Sequence, residues 1–571
     1  MTLAKENTKP GGMTLLHWLT ASHARASLFL AMAALALFLP GFFTLHPMDR
    51  DEPRFAQATK QMLETGDFVA IRFQDEARNK KPVGIYWLQA TSVKIGETLG
   101  VRDARRQIWL YRLPSLLAAV GSVLLTYWVA LAFLGRTNAL LAALLLGSTV
   151  LVGVEARLAK TDATILATVL AAMGAFARVY LGQTSGHPWR LPAIFWTAIG
   201  IGLLVKGPIT PMIPLFAGVF LAIKDRGAPW LGALKPLPGL AWAVALVLPW
   251  FVMIMIQTQG AFLADSVGAD MLGKVASGKE AHGAPPLTYF AAFWGTAWPM
   301  APLAALAAPF VWKLRKEKQI AFLAAWILPA WIMFEAVPTK LPHYVLPLYP
   351  AIAILIALAI EKNALKLDAR WRRAILWLVP MLAILLLAGA AIYADWRLGG
   401  APGWLFWLMG PCTVALSIGY AMANIIQPVR VIAGTLAAGF LYVTVYSGLL
   451  TAEFGDDIAI SPRLATSVSN PGHCRSLQLA TAGYYEPSLV FLTDTNLTMT
   501  NGAGAAEFLR GGPCRAVFVE ERQEPAFREA LSGVPNVNLR EHIVGTNING
   551  GRRLVIGVWV RPSEPPAEKS F

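Results

Sequence analysis

Long apolar stretches recur along this chain between Ala26 and Leu450, separated by short polar segments. A helix needs about 20 mostly apolar residues to cross the hydrocarbon core of a membrane, and most of these stretches reach that length. Hydrophobic residues occupy 56% of the 571 positions and charged residues only 15%, an apolar excess that a soluble domain cannot bury. The sequence therefore predicts a polytopic α-helical membrane protein.

About thirteen transmembrane helices are predicted, and they form a transmembrane domain over residues 26–450. The count is uncertain by one because Lys206-Gly207-Pro208 is compatible with a tight hairpin or with a break in one bent helix. The predicted spans are residues 26–45, 110–133, 137–153, 162–181, 191–205, 208–223, 237–257, 288–312, 319–336, 343–360, 373–393, 404–423 and 431–450.

Basic residues in the short loops predict the orientation, because positively charged flanks resist translocation. They recur in every second loop, which places residues 1–25 in the cytoplasm and the region after Leu450 outside, in the periplasm if the organism is a Gram-negative bacterium, with the chain in the bacterial inner membrane. The net charge of +15 then reflects topology and attraction to anionic membrane lipids, so no nucleic-acid partner is predicted. The inner basic residues are Lys5, Lys9, Arg25, Arg136, Arg178, Arg190, Lys224, Arg226, Lys235, Lys313, Arg315, Lys316, Lys318, Lys362, Lys366, Arg370, Arg372 and Arg373.

Three longer segments are predicted to lie on the periplasmic side: a first loop over 46–108, a second loop over 258–287, and a C-terminal domain over 451–571. The C-terminal domain alternates short apolar runs with helical patterns, which predicts a small α/β domain. Its predicted strands are Ser476–Ala480, Leu489–Thr493, Ala516–Glu520 and Leu554–Val560, and its predicted helices are Gly504–Arg510 and Glu524–Ser532.

Cys474 and Cys514 each stand just before a predicted strand in an oxidising compartment. Such a pair is compatible with a disulfide, and two free thiols are the open alternative.

Charged residues gather just after the first span. Asp51 has the chemistry of a general base or of a group that orients an acceptor, and the planar guanidinium of Arg54 is suited to clamping a phosphate. Glu52 lies between them. The alternative for all three is a solvated helix cap with surface ion pairs.

Four further segments place ionisable or aromatic residues at the predicted outer ends of spans. Each alone is compatible with snorkelling, interfacial anchoring or helix capping. All lie on one predicted membrane face, however, and ionisable residues at membrane helices are costly unless they have a role. Together they predict one cavity for an anionic, lipid-borne substrate. The residues are Lys80, Lys81, Tyr86 and Trp87; Glu155, Lys160 and Asp162; Lys206; and Lys340, His343 and Tyr344.

These motifs, taken together, resemble the aminoarabinose transferase (ArnT) family of the protein-mannosyltransferase-like GT-C glycosyltransferases. They occur in order and with suitable spacing from about Leu39 to Pro350. Beyond Pro350 the resemblance rests on architecture, since such enzymes have thirteen spans and a periplasmic C-terminal domain. The motifs are Asp51-Glu52-Pro53-Arg54-Phe55-Ala56, Gly66-Asp67-Phe68, Lys81-Pro82 with Tyr86-Trp87, Ala159-Lys160-Thr161-Asp162-Ala163, Lys206-Gly207-Pro208 and Lys340-Leu341-Pro342-His343-Tyr344.

The resemblance implies an activity. A sugar, expected to be 4-amino-4-deoxy-L-arabinose or a related one, moves from undecaprenyl phosphate to lipid A at the periplasmic leaflet with inversion, a modification associated with polymyxin resistance. No nucleotide sugar is needed, in agreement with the lack of a Gly-rich nucleotide-binding fingerprint in the sequence.

The resemblance also implies residue roles. Asp51 corresponds to the catalytic carboxylate. Four residues correspond to groups near the donor phosphate, where cations stabilise the leaving group. The remaining candidates are assigned to the acceptor or to the rim of the cavity. The residues assigned to the donor phosphate are Arg54, Lys81, Lys206 and Tyr344. The residues assigned to the acceptor or the rim, called the rim residues below, are Glu52, Asp162, Lys160, Tyr86, Lys340 and His343.

A divalent metal is considered as a cofactor, and no other cofactor is predicted. Lys80 stands where related enzymes often carry Glu or Asn, which puts a metal site at that position in doubt. His282, in the second loop, is the candidate ligand, although its spacing from other residues gives no independent support.

Three other functions remain open. One is protein O-mannosyl transfer, or transfer to another envelope glycan, from a polyprenyl-phosphate sugar. A transporter would place charges near mid-span or in paired broken helices, whereas here they gather at one face. A membrane-anchored sensor would leave the charges of the first loop without a role.

Overall fold

The computed structural model describes residues 15–47, 51–184, 186–266, 284–365, 369–398, 428–450, 457–469, 476–547 and 549–563, with single positions at 268, 407, 410–412, 414–415, 418–419 and 474. Within these ranges the chain is mostly helical up to residue 450 and mixed α/β after residue 457.

Six helices in the described part of the chain are long and apolar enough to cross a membrane. They are Ile108–Ala130, Asp162–Tyr180, Leu231–Gln257, Lys318–Ala336, Pro342–Glu361 and Arg370–Gly389. Four shorter apolar helices accompany them: His23–Phe38, Arg136–Gly147, Met300–Lys313 and Val429–Thr444. Further helices are Leu15–Thr20, Val150–Glu155, Arg190–Lys206, Ile209–Asp225, Ala261–Leu263 and Thr288–Thr296. The full helices that contain Arg370–Gly389 and Val429–Thr444 are Arg370–Leu398 and Pro428–Leu450.

Two predicted spans are each divided into two helices. The span predicted at 137–153 consists of Arg136–Gly147 and Val150–Glu155, and the one at 288–312 consists of Thr288–Thr296 and Met300–Lys313. The second break falls at Pro299, which lacks the backbone N–H that a continuous helix needs. The span predicted at 404–423 falls mostly outside the described residues.

The Lys206-Gly207-Pro208 segment is a hairpin. Gly207 ends helix Arg190–Lys206 with a positive φ of 70°, a conformation that glycine adopts without steric cost. A Cβ on Gly202 would lie only 2.2 Å from Oγ1 of Thr210, whereas eight residues of continuous helix would separate the two by about 12 Å. The chain therefore reverses, and two antiparallel helices meet at this point.

Burial separates central from peripheral helices. The windows of highest hydropathy in Pro342–Glu361 and Asp162–Tyr180 are 89% and 83% buried, whereas that of Leu231–Gln257 is only 22% buried. The first two helices therefore form the centre of the bundle, and both begin at residues that the sequence singled out. The third presents an apolar surface to its surroundings, as expected for a helix that faces lipid.

The first loop is a small folded unit. Helix Asp51–Thr65 leads into a hairpin of strands β1 (Arg72–Phe73) and β2 (Glu76–Ala77), followed by helix Gly84–Thr98 and the 3₁₀ turn Ala104–Arg106. Phe55, Met62, Ile85 and Tyr86 pack with Trp250 into one buried cluster. The loop is thereby held against the end of helix Pro236–Gln257.

The C-terminal residues form an α/β fold with one five-stranded sheet. Its strands are β3 (Gln478–Ala482), β4 (Thr498–Thr500), β5 (Arg515–Glu520), β6 (Asn538–Asn547) and β7 (Arg552–Arg561), in the order β4-β3-β5-β7-β6. β3 pairs parallel with β4 and β5, and β7 pairs antiparallel with β5 and β6. The helices are Ile460–Ser467, Pro487–Leu492, Gly502–Arg510 and Glu524–Ala530.

One predicted strand is wrong. Residues Leu489–Thr493 belong mostly to helix Pro487–Leu492, because a short apolar run fits a buried helix as well as a strand. Pro487 stands in the first turn of this helix, where its lack of an N–H is tolerated.

This helix docks the α/β fold onto the first loop. Lys60 donates a hydrogen bond to the Phe491 carbonyl at 2.9 Å, and Gln57 donates one to Thr495 at 2.8 Å. Burial lowers the pKa of Lys60 to about 8, and the charge of Glu64 opposes that shift. The Lys60 side chain is only 4% exposed, so the two units pack closely at this junction.

Cys474 and Cys514 are joined by a disulfide in the structure. We expect neither thiol to react with maleimide in denatured, non-reduced protein, whereas Cys412, outside the disulfide, should react. Because the bridge restricts the unfolded chain, reduction should cost the α/β fold about 2–4 kcal/mol of stability. Peptide mass spectrometry after labelling identifies which cysteines have reacted with maleimide. Labelling of both Cys474 and Cys514 without reduction would contradict the prediction.

Candidate active site

Three chain segments bring a buried group of opposite charges together. Asp162 forms an ion pair with Lys206, and Glu155 pairs with Lys160 at 3.4 Å. The imidazole of His343 lies between the two carboxylates, 3.8 Å from Glu155 and 3.7 Å from Asp162. We call these five residues the ion-pair cluster. Their side chains are at most 14% exposed, so the charges interact with little screening by water.

The ends of the two central helices bring these residues together. Asp162 is the first residue of helix Asp162–Tyr180, where the helix dipole favours a negative charge. His343 lies in the first turn of Pro342–Glu361, and Lys206 ends the helix that the Gly207 hairpin reverses. The cluster therefore marks a point where several helices end.

Two further candidates border the ion-pair cluster. The Tyr344 ring faces the ammonium of Lys206, 5.5 Å from the ring centroid, within the range of a cation–π contact. Lys81 lies within electrostatic reach of His343. A Cβ on Gly84 would lie 2.8 Å from the Leu204 carbonyl, so only glycine lets the Lys81 segment approach the helix that carries Lys206 this closely.

Glu52 connects the first loop to the cluster through a fully buried ion pair. Both of its carboxylate oxygens accept hydrogen bonds from Arg112, at 2.7 and 2.9 Å. One of them also accepts from the backbone N–H of Ala159 at 2.9 Å. Asp51 and Lys160 thus each lie one residue away from a hydrogen-bonded pair, which sets the catalytic candidate beside the cluster.

Arg112 and Arg157 are positioning residues that sequence reasoning missed. Arg112 also donates to the carbonyls of Phe42 and Leu45 at 3.2 and 2.8 Å. Arg157 is fully buried and donates to the carbonyls of Pro40, Gly153 and Leu37. The signal for Arg112 was an arginine inside an apolar stretch, which needs a partner when buried. The sequence did not show that the partner was Glu52.

Asp51 and Arg54 remain accessible on helix Asp51–Thr65. Asp51 is exposed at its first residue, and Arg54 is half-buried one turn later. In the described part of the chain neither forms an ion pair. Burial raises the pKa of the nearby Tyr86 phenol, and the charge of Asp51 raises it further. Asp51 thus lies close to the Tyr86 side chain.

Three of the residues predicted to contact the acceptor or line the rim of the cavity occupy positions that do not suit such a contact. Glu52 is fully buried in its pair with Arg112. Tyr86 is fully buried beside Phe55, with its hydroxyl accepting from Arg78 at 3.4 Å. Lys340 donates to three backbone carbonyls at the end of helix Lys318–Ala336, at 2.7 to 3.3 Å. Its ammonium stabilises a helix end, where cations are favoured by the dipole.

The other rim residues, Asp162, Lys160 and His343, lie in the ion-pair cluster. They are buried together, so the structure describes them as one network and not as separate rim positions.

A metal fits the ion-pair cluster poorly. Ligand atoms of Glu155, Asp162 and His343 all lie within 4.8 Å of one another, and one Glu155 oxygen is buried without a hydrogen-bond partner among the described residues. Yet Lys160 and Lys206 already pair with the same carboxylates, and two ammonium groups repel a divalent cation. The earlier candidate, His282, lies outside the described residues.

Sequence comparisons identify relatives of this chain. The family model for "Dolichyl-phosphate-mannose-protein mannosyltransferase" matches residues 80–253. An uncharacterized protein of Aquifex aeolicus is 26% identical over 60% of this chain and 75% of its own length. An undecaprenyl phosphate-alpha-4-amino-4-deoxy-L-arabinose arabinosyl transferase of Yersinia pestis is 27% identical over 57% of this chain. This chain spans 58% of the length of the Yersinia protein.

Solved structures share the fold. ArnT from Cupriavidus metallidurans bound to undecaprenyl phosphate has a TM-score of 0.73 and 16% identity, over 93% of this chain and 97% of that one. The archaeal oligosaccharyltransferase AglB from Archaeoglobus fulgidus has a TM-score of 0.50 and 11% identity, over 90% of this chain and 71% of that one. Sequence and fold agree: this multi-pass membrane chain is similar in sequence to ArnT and mannosyltransferase proteins, and it shares the fold of a solved ArnT.

Proposed function

We propose that this chain moves a sugar from a polyprenyl phosphate, undecaprenyl phosphate in a bacterium, to lipid A at the periplasmic leaflet. The sugar is 4-amino-4-deoxy-L-arabinose or a related one. The observation that carries the proposal is the convergence of Lys81, Lys206 and Tyr344 on the ion-pair cluster, to which Glu52, the neighbour of the accessible Asp51, is joined through Ala159. Cations next to an exposed carboxylate suit a reaction that releases a phosphate from a sugar.

The cations act on the leaving group. As the bond between the anomeric carbon and the phosphate oxygen breaks, negative charge builds up on that oxygen. Arg54 and Lys81 approach from the first loop, and Lys206 approaches from the hairpin. Preorganised positive charge in a poorly solvated cavity stabilises such an oxyanion more than water does.

Asp162 holds Lys206 before the donor binds. Their ion pair is almost fully buried, with side chains 8% and 6% exposed, so the ammonium is fixed in place. The aromatic face of Tyr344 lies on another side of the same ammonium. Donor binding therefore does not require the loss of conformational entropy that would accompany the ordering of a flexible lysine.

Asp51 acts on the acceptor in a single displacement. A hydroxyl acceptor gives its proton to the Asp51 carboxylate as its oxygen attacks the anomeric carbon, and the polyprenyl phosphate leaves from the opposite face. A lipid A phosphate acceptor is already anionic, so Asp51 then positions it more than it removes a proton. Attack opposite to the leaving group inverts the anomeric carbon.

The proposed topology has thirteen spans, a cytoplasmic N-terminus, and the α/β domain in the periplasm. Its support is the contact between the first loop and the α/β fold, where Gln57 binds Thr495 and Lys60 binds Phe491. Two units in contact lie on the same face, so an even number of spans separates them. Twelve of the thirteen predicted spans lie between them.

Protein O-mannosyl transfer is the second candidate. The matched mannosyltransferase family model spans residues 80–253, which include Lys81, Asp162 and Lys206. The donor side of the site is therefore common to both candidates, and only the acceptor distinguishes them.

Mass spectrometry of lipid A tests the acceptor. Cells that lack this protein should lose a lipid A species heavier by one pentosamine or related sugar, and the wild-type gene should restore it. An Asp51→Asn gene, expressed to the same level, should not. Unchanged lipid A in the deletion strain, together with lost glycans on envelope proteins, would reject the lipid A acceptor and favour protein mannosylation.

Lys81→Ala should weaken retention of undecaprenyl phosphate by about tenfold, the typical contribution of one charge-assisted hydrogen bond to a phosphate. Phosphate-containing lipid bound to purified protein is quantified by mass spectrometry. Lys80→Ala is the matched control, because Lys80 is adjacent but exposed, and its effect should be small. Equal retention by the Lys81 variant and the wild type would exclude Lys81 from donor binding.

A further inference from the structure

A basic pocket lies at the opposite end of the bundle from the ion-pair cluster. The cavity measures about 420 Å³ and is lined by Arg178, Arg190, Lys235 and His187, with Trp128 as one wall. No carboxylate lines it in the described ranges. Like charges around one cavity repel each other unless an anion lies between them.

Arg178 and Lys235 have partners that leave their charge uncompensated. Arg178 donates to the carbonyls of Gly174 and Trp128, at 3.1 and 2.5 Å, and lies 4.0 Å from the centroid of the Trp128 ring. Lys235 lies over the Trp189 ring at 5.7 Å. Among the described residues, no acidic side chain forms an ion pair with Arg178, Arg190 or Lys235.

An apolar groove adjoins the basic pocket. It measures about 410 Å³ and is lined by Phe176, Phe195, Pro214, Val219 and Trp230. The two spaces meet along one stretch of chain, because Leu234 and Pro236 line the groove and Lys235, between them, lines the pocket. Leu215 and Val219 on the groove are 61% and 50% exposed, so the groove opens toward the surroundings of the bundle.

The length of one helix places these features at the other membrane face. Asp162, in the ion-pair cluster, begins helix Asp162–Tyr180, and Arg178, in the basic pocket, lies in its last turn. A helix of 19 residues is about 28 Å long, close to the thickness of a hydrocarbon core. In the proposed topology this is the cytoplasmic leaflet.

We propose that the basic pocket and the apolar groove together bind one anionic glycerophospholipid, with its phosphate headgroup in the pocket and an acyl chain in the groove. The site is separate from the proposed transfer reaction. A soluble anion would use the pocket alone and would leave the groove unexplained. A neutral lipid would use the groove and leave three cations without a counter-ion. An anionic lipid satisfies both, and basic pockets between membrane helices commonly take such headgroups.

Native mass spectrometry of the delipidated full chain, titrated with dioleoyl phosphatidylglycerol, tests the site. The wild type should bind one lipid, and dioleoyl phosphatidylethanolamine should bind more weakly. Arg190→Gln combined with Lys235→Gln should weaken phosphatidylglycerol binding by about tenfold or more. Arg226→Gln is the matched control: Arg226 is an exposed cation near the same helix ends but outside the pocket lining, and its substitution should leave binding unchanged.

The groove provides an independent test. Val219→Trp should fill it and weaken binding of the dioleoyl lipid while every pocket cation remains. Dihexanoyl phosphatidylglycerol, whose chains are too short to fill the groove, should bind at least tenfold more weakly than the dioleoyl form. Inorganic phosphate that displaced the dioleoyl lipid at matched concentration would show a site for a soluble anion and would overturn the proposal. Wild-type affinity in both the double-charge variant and the Val219 variant would also overturn it.

Discussion

Asp51→Asn should lower the rate of sugar transfer by about 10²–10⁴-fold, the contribution typical of a general base. The carboxylate is exposed at the start of helix Asp51–Thr65 and forms no ion pair among the described residues. An amide of the same shape can neither accept a proton nor direct a charge at the acceptor. Because the site is exposed, the substitution should leave folding and membrane insertion intact.

The measurement is transfer by purified protein reconstituted with a lipid-linked sugar and lipid A. Asp75→Asn is the matched control, because Asp75 is an exposed acid in the turn between β1 and β2 of the same loop. The control should retain full activity. Full activity in the Asp51 variant as well would remove Asp51 from the chemistry, while loss in both variants would indicate a general effect of charge in the first loop.

Arg112→Met should destabilise the protein by about 3–5 kcal/mol, the usual effect of leaving one partner of a buried ion pair unpaired. Glu52 and Arg112 are both fully buried, with hydrogen bonds of 2.7 and 2.9 Å between them. Removing the guanidinium leaves a carboxylate without its counter-ion. It also frees the carbonyls of Phe42 and Leu45, which hold the chain that leads toward Asp51.

Thermal unfolding in detergent reports the loss, and the variant should also lose activity because the first loop is no longer held. Arg105→Met is the matched control. Arg105 pairs with Glu97 at 2.6 Å, but the side chains are 38% and 27% exposed, so the expected effect is below about 1 kcal/mol. Adding Glu52→Gln to the Arg112 variant should recover part of the stability. Equal melting temperatures for the Arg112 and Arg105 variants would contradict a special role of the buried pair.

Several parts of the fold could be predicted because their signals are local. Apolar length predicted the six described helices that are long and apolar enough to cross a membrane, and short apolar runs with turn residues predicted three of the five strands of the C-terminal sheet. The strand predicted at Leu489–Thr493 is the exception. Its four consecutive apolar residues have no periodicity that distinguishes a strand from a helix, and packing against Lys60 and its helix favoured the helix. The hairpin at Gly207 was one of two alternatives until the contact between Gly202 and Thr210 distinguished them.

Residue types at one predicted membrane face were also sufficient to nominate the candidate site, but not to assign each residue. Lys206 and Lys340 look alike in the sequence, as lysines at the ends of helices. Lys206 pairs with Asp162 beside Tyr344, whereas the ammonium of Lys340 donates hydrogen bonds to backbone carbonyls. Adjacent residues differ in the same way, since Asp51 is accessible and Glu52 is fully buried.

The sequence by itself determined that this chain is a membrane protein, roughly where its helices begin and end, and which motifs resemble a family of transferases. Hydropathy, helix length and motif order depend only on neighbouring residues, so they can be read along the chain. Only the tertiary structure decided the partners: Glu52 with Arg112, Asp162 with Lys206, and a basic pocket beside an apolar groove at the far end. A charge acquires its role from what surrounds it after burial, and that depends on how distant helices pack.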